Sequence, residues 1–142
     1  MTPTVLDASA LMAYLQREPG YDTVIDLLLE AVNEGANLLL TSVNAGEVLY
    51  QTLKHKGREA LGRVAGIMAH LAIEIVDVTL PLAGEAALLR AAKGMSYPNC
   101  LAAALAKLRG ARLVTADPEF KAVEPEIPVV WLRPSPLEGS TP

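Results

Sequence analysis

Three carboxylates and one amide, Asp7, Glu47, Asp117 and Asn99, stand at places in this 142-residue sequence where folding can gather them. Asp7 follows the short apolar run Thr4-Val5-Leu6, and Glu47 closes the stretch from Thr41 that follows Leu38-Leu39-Leu40. Asp117 comes just after Leu113-Val114-Thr115, and Asn99 comes directly after Pro98. Carboxylates gathered in one cleft repel each other, so their convergence costs stability unless protons or a cation compensate. Magnesium or manganese suits such a set. Hard divalent ions take oxygen ligands, keep several waters and can bridge a few carboxylates to a phosphate.

The elements that must position these groups follow from apolar periodicity and from its punctuation. Thr4 to Leu6 reads as a strand, and Ser9 opens an Ala/Leu-rich helix stopped by Pro19-Gly20. Asp22 is suited to cap a second helix running to about Asn33, with Gly35 as its stop, and Asn37 to Leu40 reads as the second strand. Ser42 is the expected cap of a helix from Val43 to near His55, broken by Gly57. Leu61, Val64, Ile67, Met68 and Leu71 then recur at helical spacing. Ile73 to Val76 is a third strand, and a helix starts at Thr79 with Pro81 and ends at Gly94. Pro98 begins a further helix that places Asn99 in its first turn and runs to Gly110. Arg112 to Thr115 is the fourth strand, Pro118 to Lys121 a turn or short helix, and Val129 to Trp131 a small edge strand.

Strands alternating with helices imply an α/β fold with a mostly parallel sheet of about five strands, covered on both faces. Sites in such sheets lie beyond the carboxyl ends of the strands, which is where Asp7, the Thr41 to Glu47 stretch and Thr115 with Asp117 fall.

Half of the chain is hydrophobic, yet it has one Phe and one Trp, so the core must be built from Leu, Val, Ile and Ala. One domain over residues 1–132 is expected, followed by a disordered tail over residues 133–142. A single thiol, Cys100, excludes an intrachain disulfide and a cysteine-rich zinc site, and it fits a reducing cytoplasm. No secretory signal and no membrane-length apolar run is visible, so a cytoplasmic protein is expected. The formal net charge of -4 argues against broad electrostatic attraction to nucleic acid, while leaving room for an acidic site that meets RNA through bound metal.

Four segments then follow in order: Val5-Leu6-Asp7-Ala8-Ser9-Ala10, Asn44-Ala45-Gly46-Glu47-Val48, Ser96-Tyr97-Pro98-Asn99-Cys100-Leu101-Ala102-Ala103-Ala104 and Leu113-Val114-Thr115-Ala116-Asp117. Together they resemble the motifs of the PIN-domain family, most closely the VapC-type toxin ribonucleases of type II toxin–antitoxin pairs, from roughly Val5 to Trp131. The resemblance implies a three-layer α/β/α sandwich and a metal-dependent endoribonuclease. In it Asp7, Glu47 and Asp117 direct Mg2+ or Mn2+, with Ser9, Asn44 and Thr115 as supporting polar groups. The family usually has Asp where this chain has Asn99; the amide keeps an oxygen ligand and loses the charge. The resemblance also implies a small antitoxin partner covering an apolar groove.

Each residue also has a plainer reading. Asp7 and Ser9 suit a helix cap, Asp117 before Pro118 a turn, and Asn99 a first-turn helix position. Glu119 reads as a solvated turn carboxylate, His55 and His70 as surface residues, and Cys100 as a small apolar group. Lys54, His55, Lys56 and Arg58 form a modest basic cluster that either guides RNA or decorates a helix end. Leu11, Leu15, Leu49 and Leu53 exceed what one apolar stripe needs, which predicts a helix-binding groove and a homodimer. A catalytically inactive binding protein and, far less well matched, a phosphoacceptor signalling domain are the competing classes.

Overall fold

The computed structural model describes residues 2–132; the expected disordered tail lies outside them. Five strands, β1 (Thr4–Leu6), β2 (Leu38–Thr41), β3 (Ile73–Val76), β4 (Arg112–Thr115) and β5 (Val129–Trp131), form one sheet in the order β3-β2-β1-β4-β5. Every pairing is parallel, so the sheet is wholly rather than mostly parallel. The chain builds outward from β1 through β2 to β3, then crosses back to add β4 and β5 on the other side. The switch point therefore falls between β1 and β4, where crossovers leave a crevice above the strand ends.

Alternation along the strands makes the layers. Val5, Leu39 and Leu113 face α4 (Leu80–Lys93), α5 (Tyr97–Arg109) and the 3-10 helix Pro118–Val123. Leu6, Leu38, Leu40 and Val114 face α1 (Ala8–Leu15), α2 (Tyr21–Glu34) and α3 (Ser42–His70). Burial of β1 and β2 on both faces explains why their runs are continuously apolar. Cys100 is fully buried in the first of these cores, in keeping with its reading as a small apolar group.

Several boundaries differ from expectation for local reasons. Asp7 itself caps α1, which begins at Ala8 and ends at Leu15, well before Pro19-Gly20. Gly20, not Asp22, is the N-cap of α2, with Asp22 in the first turn. Its φ of 94° and its approach to Leu132, whose Cβ lies 2.6 Å from where a Gly20 Cβ would stand, leave room only for glycine. Thr41, not Ser42, caps α3 by accepting from the Asn44 N–H, while the Ser42 hydroxyl accepts from the Val78 N–H in the β3–α4 connection. The expected break at Gly57 is present, with φ 85° and ψ -178° inside the Ser42–His70 stretch. This is backbone that only glycine adopts without strain.

Candidate active site

Asp7 emerges from β1 at the switch point, next in register to Thr115, because Leu6 pairs with Val114. Its side chain is only 2% exposed and accepts three hydrogen bonds. The Ala10 N–H (2.9 Å) and Ser9 Oγ (2.7 Å) donate to Oδ1, and Thr115 Oγ1 (2.5 Å) donates to Oδ2. The two hydroxyls in turn accept from the loop that follows β4: Ala116 N–H reaches Ser9 Oγ at 3.0 Å, and Asp117 N–H reaches Thr115 Oγ1 at 2.9 Å. Ser9 and Thr115 thus relay two backbone donors onto one carboxylate. The cap reading of Asp7 holds, and the oxygen that caps α1 also accepts from Ser9.

Burial raises the Asp7 carboxyl from its usual 3.8 to about 6, against the lowering effect of the Thr115, Ser9 and Ala10 bonds and with a further push from the Asp117 charge. Asp117 stands at the start of the 3-10 helix, its Oδ1 accepting from the Glu119 N–H at 2.9 Å. Its Oδ2 accepts from Asn99 Nδ2 at 3.0 Å. The same amide nitrogen donates to Glu119 Oε1 at 2.9 Å. Glu119 is therefore not a free turn carboxylate: it also accepts from the Ser96 N–H at 2.7 Å. The Asn99 bond first, then that backbone bond, holds its carboxyl below the usual range.

Glu47 reaches the site by a different route. Asn44, fully buried, exchanges bonds with Thr41: its Oδ1 accepts from Thr41 Oγ1 at 2.9 Å, and its N–H donates back at 3.0 Å. Its Nδ2 then donates to Glu47 Oε1 at 2.8 Å and to the Pro98 carbonyl at 3.2 Å. One amide holds Glu47 and ties α3 to the first turn of α5, beside Asn99. Sequence reasoning named Asn44 but not Thr41 as its partner, and it missed the anchoring of Glu119.

The structure therefore brings Asp7, Asp117 and Asn99 into one hydrogen-bonded network, and Glu47 adjoins it through Asn44 and the Pro98 peptide. Among the described residues no group of three or more His, Cys, Asp or Glu side chains is placed to hold one metal ion. Nor does any ion pair link Asp7, Glu47 or Asp117 to a basic side chain among those residues. Asp7 keeps one of its roughly four carboxylate lone pairs uncommitted. Uncompensated oxygen donors, with one or two carboxylates rather than a closed cage, fit a magnesium-like ion that retains most of its water. A groove of about 520 Å3 opens beside Ser9 and Ala116, between Met12, Gln16, Gln51 and His55. The basic cluster Lys54, His55, Lys56 and Arg58 is exposed. Leu11, by contrast, is fully buried and faces the core rather than any groove.

No curated protein matches the sequence. Among solved structures, the DNA-bound VapBC of Salmonella typhimurium is similar with a TM-score of 0.71 at 19% identity, covering 93% of this chain and 99% of that one. VapBC2 of Rickettsia felis, bound to a DNA fragment from its promoter, gives 0.70 at 21% identity, with 89% and 96% covered. VapC20 of Mycobacterium tuberculosis, a Sarcin-Ricin loop cleaving toxin, gives 0.66 at 19% identity, with 92% and 99% covered. At such identities the likeness concerns the fold. The family model of the PIN domain matches residues 4–125, and the chain accordingly belongs to the PIN-domain family.

Proposed function

We propose that this PIN domain is a metal-dependent endoribonuclease of toxin type, restrained by a cognate antitoxin. The observation that supports it most is the buried Asp7 carboxylate, which has no basic partner among the described residues and stands next to Asp117 at the β1/β4 switch point. A bound Mg2+ or Mn2+ would lower the pKa of a water for attack on an RNA phosphodiester. Asp7, Asp117, Glu47 and the Asn99 amide oxygen are the groups to hold it. Asp7 is oriented by Ser9 and Thr115, and with its carboxyl near 6 it ionises close to neutrality, where an arriving cation favours the charged form. Asn44 fixes Glu47 at the α3 side. The groove beside Ser9, with His55 on its wall and the exposed Lys54, Lys56 and Arg58 further along α3, offers a path for the RNA backbone.

Partners follow from the same reading: RNA as substrate, an antitoxin segment on an apolar surface, and a homodimer. Tyr14, Tyr21, Ile25, Leu29, Val32 and Leu71 line a separate apolar depression of about 300 Å3 suited to a protein partner. No helix among the described residues is long and apolar enough to cross a membrane; a cytoplasmic location is part of the proposal. Asn99 supports a second reading, a PIN protein that keeps the fold and the partner surface but cleaves nothing, because one expected charge is missing.

Purified protein incubated with single-stranded and structured RNA plus magnesium or manganese separates the two. Cleavage that Asp7→Ala abolishes supports the nuclease. Absence of cleavage, restored by Asn99→Asp, supports the inactive form. Cleavage indifferent to Asp7→Ala would sink the assignment of the site.

A further inference from the structure

The groove of about 520 Å3 shares a wall with the candidate site, because Ser9, which lines it, donates to Asp7 Oδ1 at 2.7 Å and accepts from the Ala116 N–H at 3.0 Å. Met12 and Leu132 give it apolar sides, and neither lysine nor arginine lines it. Its hydrogen-bonding groups on α3 are Gln51 and His55. These follow Glu47 at steps of four residues, so one helix face runs from the candidate site into the groove. At 1.5 Å of rise per residue, Gln51 stands about 6 Å beyond Glu47 along the axis. The pair is arranged in advance: His55 Nε2 lies 3.1 Å from Gln51 Oε1. An amide oxygen only accepts, so the imidazole donates. Both Nε2 protons of Gln51 and one lone pair of its oxygen are left without a partner among the described residues.

We propose that this groove takes one unpaired base of an RNA strand whose neighbouring phosphate lies at Asp7, and that Gln51 reads adenine there. The inference rests on the ribonuclease reading above and deepens it by naming the kind of strand the site takes. A base is a flat apolar body with hydrogen-bonding edges, which suits apolar walls that carry an amide, whereas a phosphate calls for cations. The cations stand outside the groove: Lys54, Lys56 and Arg58 are exposed and form no ion pair with an acid among the described residues. They are free to hold phosphates along the strand while one base turns inward. A paired, stacked base could not enter, so the strand is single at this point. The glutamine amide sets an acceptor beside a donor, which matches N6–H and N7 of adenine; guanine offers two acceptors on the same edge.

Fluorescence anisotropy on the full chain tests this with short single-stranded uridine RNAs, either unchanged or carrying A, C or G at one position, in chelator so that no strand is cut. The parent is expected to bind the adenine strand about tenfold more tightly than the others, the lower end of what a two-bond base contact confers. Gln51→Ala is expected to bring the adenine strand down to the level of the others and to leave those unchanged. Gln51→Glu, which only accepts, is expected to move the preference to cytosine, whose N4 donates. Lys56→Ala is expected to weaken every strand alike, as loss of a phosphate contact does. The proposal is overturned if the parent binds all strands equally, if Gln51→Ala weakens every strand to the same degree, or if Gln51→Glu keeps the adenine preference. It is also overturned if no strand binds, which leaves the groove to a protein segment. Any of these outcomes beside Asp7-dependent cleavage of RNA overturns this inference alone, and absence of both binding and cleavage overturns the ribonuclease reading with it. An adenine preference that Gln51→Ala removes, in a chain that cuts no RNA with magnesium or manganese, upholds the base pocket and overturns the ribonuclease reading.

Discussion

The two halves of the candidate site are built on opposite terms. Around Asp7, water is excluded, both hydroxyls are committed, and the carboxyl is pushed up to about 6 because burial outweighs three hydrogen bonds. Around Asn99, Asp117 and Glu119, solvent has access, and an amide donor separates two carboxylates. In the first half an unpaired charge is stored against the protein's own stability. In the second, repulsion is relieved locally by hydrogen bonding and generally by solvent. The difference teaches where a cation would have most to offer: at Asp7, where its arrival would offset a desolvation cost that no basic side chain offsets among the described residues.

Asp7→Asn breaks that arrangement with the largest expected effect. Cleavage should fall by at least about 10²–10³-fold, as when a principal charge-stabilising group is lost. Stability should move the other way. Because the folded-state pKa of Asp7, about 6, exceeds its usual 3.8, the folded form holds the proton more tightly than the unfolded chain. The penalty is absent below about pH 4, grows as pH rises toward 6 and is fully present above it. At pH 8 without metal, Asp7→Asn should therefore be more stable by about 1–2 kcal/mol, after allowance for altered hydrogen bonds around an interior shift of about two pKa units. Denaturation curves at pH 4 and pH 8 check this; a variant no more stable at pH 8 than at pH 4, relative to the parent, would show that Asp7 is not strained by burial.

Thr115→Val sharpens the same contrast from the other side. Thr115 is fully buried, donates to Asp7 and accepts from the Asp117 N–H, so the isosteric change orphans one acceptor and one donor where water is scarce. A loss of about 2 kcal/mol follows, equivalent to a melting midpoint lower by roughly 6–8 °C for a domain of this size. The Asp7 carboxyl should rise further, since one of the bonds that favours its charged form is gone. An unchanged melting midpoint would contradict the relay of loop donors through Thr115 and Ser9.

Much of this division was legible in the sequence. The stops at Gly35, Gly94 and Gly110 and the break at Gly57 lie where the chain turns. With them, the strand order of apolar runs placed Asp7, Thr115 and Asp117 at strand ends. Local signals of this kind depend on near neighbours and survive folding. What was hidden depends on distance along the chain. Glu119 looked like a solvated turn residue because its partners, Asn99 and the Ser96 N–H, are 20 and 23 residues away. Thr41 and Ser42 are both competent caps, and only the turn geometry selects Thr41. Leu11 was assigned to a groove because a helical stripe does not reveal which side of the sheet will cover it; α2 and α3 do.

Asn99→Asp tests the exposed half, with the smallest expected effect. The change removes both amide bonds and adds a carboxylate beside Asp117 and Glu119, yet solvent screens the repulsion, so the metal-free protein should lose under about 1 kcal/mol, and more at low ionic strength. Saturating Mg2+ should cancel or reverse the deficit, because a hard cation gains more from a carboxylate than from an amide oxygen. Paired melts in chelator and in magnesium, at two salt concentrations, measure both parts. A deficit that magnesium leaves untouched would place Asn99 outside the reach of the ion, as a first-turn helix residue whose amide serves only to keep two acids apart. A deficit that magnesium erases makes the exposed half a second point of metal contact, cheap to recharge because solvent already shares the cost.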